Sequence, residues 1–357
     1  MALALRLAAR GRGRVEPNPM VGAVLVKGGR EIGRGWHRKF GGPHAEVYAL
    51  KKPARGGTLY VTLEPCAHQG KTPPCADAVV AAGVKRVVAA MQDPHPLVSG
   101  KGFQTLKKAG IRVEVGLMEE EARRLNAPFL TLVALGRPFV TAKWAMSVDG
   151  KIATASGDSK WITGGVARED ARKIRGLADA VVVGVGTVLA DNPLLMPAKA
   201  RRMPVRVVLD SLGRTPPGSA LVKTARQGPV LIAVTEKAPK GNLKALTGSG
   251  AEVWVAPSDG GRVDLSALMK ELGRRKMTNA FVEGGGKVLG ALFEAGLVDR
   301  VAAYLAPQVL GGEKALTPVE GMGAPTVERA TRIRWTSVKR VGTDWKMMGD
   351  VMRERPR

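Results

Sequence analysis

Both cysteines of this 357-residue chain, Cys66 and Cys75, follow His44-Ala-Glu46 in a single pattern. One imidazole and two thiolates fill three of the four tetrahedral positions of a zinc ion and leave the fourth for water. The pattern constrains the fold, because segments far apart along the chain must bring their donor atoms to one point. A purely structural zinc site needs a fourth protein ligand, and His68, between the two cysteines, is the nearby candidate. Each residue also has an ordinary reading. A histidine is commonly a surface or core residue, and free cysteines behave as small buried hydrophobes. A disulfide is disfavoured because no signal peptide marks an oxidising destination. Together with Glu46 and Pro65, and in this order, the set selects the metal reading.

The order His-x-Glu, Pro-Cys, Cys is the signature of zinc deaminases, in which the carboxylate moves protons for the attacking water. Residues two apart in mid-helix point to nearly opposite faces. His44 and Glu46 therefore serve one site only if a helix begins there, and Pro43 suits such a start. Around them, Val21–Val26 reads as a strand entering a hairpin at Lys27-Gly-Gly-Arg30. Thr58–Leu63 is a strand leading into Glu64-Pro-Cys66. Ala76–Ala82 is helical, Gly83 ends it, and Val84–Met91 makes another strand. A thiolate at a helix start is favoured by the positive end of the dipole.

The stretch Asn126–Leu130 to Leu135-Gly-Arg-Pro138 reads as a domain junction, with turn residues after a charged helix around Glu119–Arg124. Beyond it, Phe139–Ala145 is a strand and Val166–Leu177 a helix. Ala180–Val185 is a buried strand opening into Gly184-Val-Gly186-Thr187. Ala280–Glu283 enters Gly284-Gly-Gly286 and then a helix over Lys287–Ala295. Glycine-rich turns between strand and helix let backbone N–H groups approach phosphate. Two of them point to a dinucleotide, although neither is the GxGxxG fingerprint.

The formal net charge of +25 attracts anions of every kind, so charge alone does not choose among partners. An aromatic content of 4% argues against a stacking groove for nucleic acid. No apolar run approaches a membrane span. The opening Met1–Arg10 reads as an amphipathic helix rather than a leader, which gives a cytoplasmic location.

Eight residues, Ala67 to Pro74, separate the cysteines, where nucleobase and tRNA-type deaminases carry a compact Cys-x-x-Cys. This insert places His68 and Lys71 near the metal, apt for a sugar phosphate. The run from Pro65 to Cys75 resembles the bifunctional riboflavin-biosynthesis deaminase/reductase family (RibD/RibG type). So do Pro17-Asn-Pro-Met-Val-Gly22, His37 and Met91-Gln-Asp-Pro94. In the second half, Ala142–Ala153, with the two glycine turns, resembles the reductase domain of the same family. The likeness runs from the first helix to about Trp345.

The resemblance implies an α/β chain in two domains. A cytidine-deaminase-like three-layer domain at 1–137 precedes a dihydrofolate-reductase-like α/β domain at 138–357. It implies zinc on His44, Cys66 and Cys75, with Glu46 as the catalytic proton shuttle. Substrate contacts would come from Asn18, His37, His68, Lys71 and Asp93. For the reductase it implies NADPH and a cofactor and substrate lining of Lys143, Ser159, Trp161, Thr163, Gly186, Thr187, Asp191, Glu283, Gly284 and Gly285. The implied reactions are hydrolytic deamination of 2,5-diamino-6-(5-phosphoribosylamino)pyrimidin-4-one and reduction of the ribosyl group of 5-amino-6-(5-phosphoribosylamino)uracil to ribityl. The partners would be small phosphorylated pyrimidines, with no membrane, no nucleic acid and self-association through the reductase domain.

Two positions depart from the family pattern: His95 replaces the usual asparagine, and Ala198 the usual arginine. Lys199, Arg201 or Arg202 are the candidates to replace that arginine from a shifted loop. The competing readings are a tRNA-type deaminase with an accessory domain, and a deaminase whose reductase domain is impaired.

Overall fold

A computed structural model describes residues 1–52, 54–67, 73–96, 98–200 and 202–352. Two compact units divide the chain between Gly136 and Arg137. Each side of that boundary is anchored within its own unit. The buried Asn126 amide holds Met20, accepting its N–H at 2.8 Å and donating to its carbonyl at 3.0 Å. Arg137 forms a buried ion pair with Asp299 at 2.6 Å.

The first unit runs α1 (Ala2–Ala8), β1 (Gly22–Lys27), β2 (Arg30–Trp36), α2 (Ala45–Ala49), β3 (Thr58–Val61), α3 (Cys75–Ala81), β4 (Arg86–Ala89), α4 (Lys101–Lys108), β5 (Arg112–Val115), α5 (Glu119–Leu125) and α6 (Ala127–Leu135). Its five strands take the order β2-β1-β3-β4-β5. The β1–β2 and β1–β3 pairs are antiparallel, and β3–β4–β5 are parallel. The hairpin turn falls on Gly28 and Gly29, both at positive φ. Alternation along the strands builds three layers. Ala23, Leu25, Leu59 and Val61 pack on α2, α3 and α4, while Val24 and Tyr60 face Ala4 and Leu7 of α1.

Two details differ from expectation. The segment read as turn residues at the junction is the helix α6, with Pro128 in its first turn, where the missing N–H costs nothing. The expected strand Val84–Met91 is regular only over Arg86–Ala89. Its continuation still pairs with the β3 segment, through Ala90 N–H to Val61 O and Glu64 N–H to Met91 O.

The second unit runs β6 (Phe139–Ser147), α7 (Gly165–Arg175), β7 (Ala180–Gly184), α8 (Val185–Asp191), β8 (Val205–Leu209), α9 (Ala220–Lys223), β9 (Val230–Val234), α10 (Lys240–Gly248), β10 (Glu252–Val255), β11 (Ser258–Asp259), β12 (Arg262–Val263), α11 (Leu265–Arg274), β13 (Asn279–Val282), α12 (Gly286–Glu294), β14 (Arg300–Ala306), β15 (Ile333–Val341) and β16 (Asp344–Val351). Nine strands form one sheet in the order β10-β9-β8-β7-β13-β6-β14-β16-β15. Pairing is parallel except at β14–β16 and β16–β15. Central strands such as Ala180–Gly184 are buried throughout, as expected of a parallel sheet covered on both faces. Val182, Val207 and Leu231 pack with Leu268, Leu272 and Leu289 on one face. Val181, Val208 and Ile232 pack with Val188, Leu221 and Leu246 on the other.

Helix α2 can lie close to β2 because Gly33 and Gly35 lack side chains. A Cβ on Gly35 would sit 2.3 Å from Ala45 O and 2.4 Å from Tyr48 Cβ. Gly35→Ala is expected to destabilise the first unit by about 1–3 kcal/mol through overpacking. Urea unfolding followed by loss of deaminase activity checks this, and an unchanged midpoint would refute it.

Candidate metal centre and cofactor cleft

His44 is the N-cap of α2, in extended conformation, and Glu46 lies in the first helical turn. This answers the geometric condition set by their spacing: both line one cavity of about 270 Å³. Cys75 is the first residue of α3, and Cys66 lies in the segment after β3. The donor atoms of His44, Cys66 and Cys75 all lie within 4.8 Å of one another. His44 Nδ1 is 3.2 Å from Cys75 Sγ and 3.6 Å from Cys66 Sγ. Zn–S bonds of about 2.3 Å and Zn–N of about 2.0 Å at tetrahedral angles require N···S edges of about 3.5 Å. The donor set therefore fits zinc.

Electrostatics favours the ligating form of Cys66. The Cys75 thiol first, then the His44 imidazole and the Cys75 backbone N–H, outweigh burial and draw its pKa down, while the same pairing and burial push the Cys75 thiol up. The Cys75 N–H donates to Cys66 Sγ at 3.4 Å. Complete burial pushes the Glu46 carboxyl up to about 7, against the opposing pull of His44. Its Oε2 is buried with no hydrogen-bond partner among the described residues. A carboxyl near neutrality can both take and give a proton.

Asn18, His37, Asp93 and His95 line the same cavity, with Phe40, Leu63, Glu64, Val98 and Phe129. His37 Nδ1 lies 3.1 Å from Pro43 O, which only a protonated nitrogen can satisfy, so Nε2 is left as an acceptor toward the Asn18 amide at 3.5 Å. Burial first, then His44, keep this imidazole below its ordinary pKa, despite the Pro43 contact. Asp93 accepts the His95 N–H at 2.8 Å. His68 and Lys71 lie outside the described residues, so neither the substrate contacts nor the fourth-ligand role is described for them. Sequence reasoning missed the aromatic and apolar lining, because Phe40 and Phe129 sit in segments without a motif.

In the second unit, Glu283 follows β13 and receives a two-pronged guanidinium from Arg175, the last residue of α7, at 2.7 and 3.0 Å. Lys143 of β6 approaches the same carboxylate at 3.7 Å. Burial opposes ionisation of Glu283, but Arg175 and then Lys143 prevail and hold its pKa below the ordinary value. Arg175 escaped the sequence reading because a basic residue in a last helical turn is ordinary dipole complementation.

Gly184 and Gly285 cap the N-termini of α8 and α12, and neither helix takes a side-chain cap from the described residues. A Cβ added at Gly186 or Gly285 would meet no described atom within 4 Å. Open backbone at two such turns fits a phosphate-bearing cofactor. Gly284 is different: a Cβ there would lie 2.7 Å from Val288 Cβ, so this glycine serves packing. Thr187 is half-buried in the first turn of α8, and Asp191 closes that helix, paired with Lys160 at 3.1 Å. That pair ties α8 to the loop carrying the half-buried Ser159. Trp161 and Thr163 line a separate cleft of about 360 Å³ with Arg168, Gln308 and Asp344. None of Lys143, Gly186, Asp191 or Glu283 borders that cleft, so the reductase candidates fall into two groups.

Of the substitutes for Ala198, Arg202 is paired with Asp179 at the start of β7, the opposite end of the strand from Gly184. Lys199 is exposed, and its carbonyl packs where a Cβ on Gly176 would fall. Arg201 lies outside the described residues.

Fold and site together define a hydrolytic zinc deaminase unit followed by an α/β reductase unit. Residues 1–91 match the cytidine and deoxycytidylate deaminase zinc-binding region, and residues 138–347 match the RibD C-terminal domain. The chain belongs to the RibD family of riboflavin-biosynthesis proteins, which are bifunctional deaminase/reductases. It is 42% identical over 351 residues to riboflavin biosynthesis protein RibD of Actinobacillus pleuropneumoniae, covering 96% of this chain and 92% of that protein. The solved structure of Acinetobacter baumannii RibD superposes with a TM-score of 0.87 at 37% identity, covering 99% and 98% of the two chains. The diaminohydroxyphosphoribosylaminopyrimidine deaminase/5-amino-6-(5-phosphoribosylamino)uracil reductase of Thermotoga maritima gives 0.84 at 35%, covering 99% and 97%. The tRNA-type alternative is not favoured by these relatives.

Removing Arg175 would leave the Glu283 carboxylate buried with only Lys143 beside it. Arg175→Met is expected to destabilise the second unit by about 3–5 kcal/mol while deamination persists. Thermal unfolding beside the two activities checks this, and an unaltered second unit would refute it.

Proposed function

We propose that the first unit, residues 1–136 rather than the expected 1–137, deaminates 2,5-diamino-6-(5-phosphoribosylamino)pyrimidin-4-one, and that the second reduces the ribosyl group of 5-amino-6-(5-phosphoribosylamino)uracil to ribityl. The observation that carries the first assignment is the buried Glu46 carboxyl, which lines one cavity with His44 and Cys66, two of the three converging metal donors.

His44, Cys66 and Cys75 would hold zinc, which when bound would acidify a water and so supply the nucleophile. Glu46 Oε2, without a partner among the described residues, is the group that would accept a proton from the attacking water. Glu46 would pass that proton to the adjacent ring nitrogen, then carry the second proton, from the newly added hydroxyl as it becomes the carbonyl, to the departing amine, which leaves as ammonia. Asn18, with its amide against His37, and Asp93 supply donors and an acceptor that orient the ring. Phe40, Leu63 and Phe129 limit the water that reaches the cavity.

In the second unit NADPH, when bound, supplies hydride. Gly186, Thr187 and Gly285 offer backbone N–H groups at helix starts to its phosphates. Lys143, midway along β6, and Glu283, just past the end of the adjacent β13, present opposite charges to the substrate. Asp191, with Lys160, aligns the Ser159–Thr163 loop against α8. Positioning supplies much of the rate in such a site. No helix among the described residues is long and apolar enough to cross a membrane. We place the protein in the cytoplasm, acting on small phosphorylated pyrimidines. Self-association through the second unit is supported by the half-exposed Trp335 and Trp345 on its outermost hairpin.

Glu46→Gln is expected to keep zinc and lower the deamination kcat by a factor of about 10²–10⁴. Ammonia release beside metal analysis checks it, and retained turnover would remove Glu46 from proton transfer. Asp191→Ala is expected to slow NADPH oxidation by about tenfold or more with deamination unchanged. Equal loss of both activities would show misfolding instead.

A further inference from the structure

Glu64 is buried, lines the deaminase cavity, and takes no part in the mechanism above. Its surroundings are unusual for a carboxylate, since it accepts three backbone N–H groups from one stretch of chain. Oε2 accepts from Asp93 at 3.2 Å and from Gly100 at 2.9 Å, and Oε1 accepts from Phe103 at 3.2 Å. One oxygen thus holds Asp93 and Gly100 together, and the other holds the first turn of α4.

The close approach is built into the backbone. A Cβ on Gly102 would lie 1.9 Å from Pro65 O, so the Glu64-Pro65 segment rests directly on the start of α4. Gly100, the N-cap of that helix, adopts φ +82°, a left-handed conformation natural to glycine. The negative carboxylate meets the positive end of α4, an eight-residue helix with no side-chain cap of its own among the described residues. Two residues after Glu64 comes Cys66, and at one end of the pinned loop stands Asp93. Both face the cavity.

We propose that Glu64 is the positioning residue of the deaminase site. Its carboxylate fixes the distance between the metal-ligand segment and the loop that presents Asp93 and His95 to the substrate. The inference rests on the reading of Asp93 as a substrate contact. It assigns Glu64 no contact with the substrate itself.

The test uses the full-length, zinc-loaded chain, with the NADPH-dependent activity of the second unit as an internal control. Glu64→Gln turns an NH₂ group toward backbone N–H donors and breaks the three-way grip. It is expected to raise KM for the pyrimidine nucleotide on the order of tenfold, with kcat changed far less and zinc content and reductase rate unaltered. Glu64→Asp keeps the charge but falls a methylene short, so a smaller rise is expected. If Glu64→Gln does not fold, that variant decides alone.

In the Asp93→Asn background the Glu64→Gln substitution is expected to add little, because both act through one contact. A KM within about twofold of the parent in both Glu64 variants, with only the thermal midpoint lowered, would make Glu64 a structural cap and overturn the proposal. Full additivity with Asp93→Asn would overturn it too. An unchanged KM in Asp93→Asn alone would instead sink the substrate role of Asp93. A Glu64 effect persisting in that case would route its influence elsewhere, against the proposal.

Discussion

The convergence of His44 Nδ1, Cys66 Sγ and Cys75 Sγ within 4.8 Å is the constraint around which the first unit is arranged. Each donor comes from a different element, so the site exists only when the sheet brings those elements together. The histidine hangs on the short contact between α2 and β2, permitted by Gly33 and Gly35. The cysteines depend on β3 and on the start of α3, bridged by the Cys75 N–H to Cys66 sulfur contact. The alanines at 45, 49 and 76 are buried beneath these ligands, where small side chains let helices sit close to strands.

The second unit works by a different principle. Its central strands, such as β7 and β9, are buried and apolar throughout, and Glu283 lies just past the end of β13, the usual side for a ligand in open α/β sheets. Glu283 is held there as an anion by Arg175 and Lys143, although burial alone would favour its neutral form. A buried pair of this kind is weak evidence of stability for its own sake. Its plain consequence is a fixed charge pattern at the end of β13.

Much of this was legible in residue order. The ligand set, Glu46, the hairpin at Gly28-Gly29 and both glycine turns could be found because each needs a particular residue at a particular spacing. The region of the boundary was legible too, but not its structure. Asn126, Pro128 and Gly136 are turn formers by composition, yet Asn126 spends its amide on Met20 and Pro128 fits a first helical turn. Tertiary context decided both. Arg175 and Glu64 were invisible as functional residues for a related reason. A basic residue closing a helix and an acidic one beside a proline are ordinary in sequence, and only long-range contacts give them meaning. The division of the reductase candidates into two groups was hidden as well, since Trp161 and Thr163 reach a cleft built partly from the distant Gln308 and Asp344.

The unpaired Oε2 of Glu46 has a bearing on how far such a protein can be made robust. A buried carboxyl with one oxygen unpartnered among the described residues opposes folding, and the nearby His44 offsets this only in part. The cost is tolerable because the same group has to take and give a proton during the reaction. Sequence changes that raise thermal tolerance by smoothing away unfavourable burial will find this position attractive, and accepting it would exchange reactivity for durability.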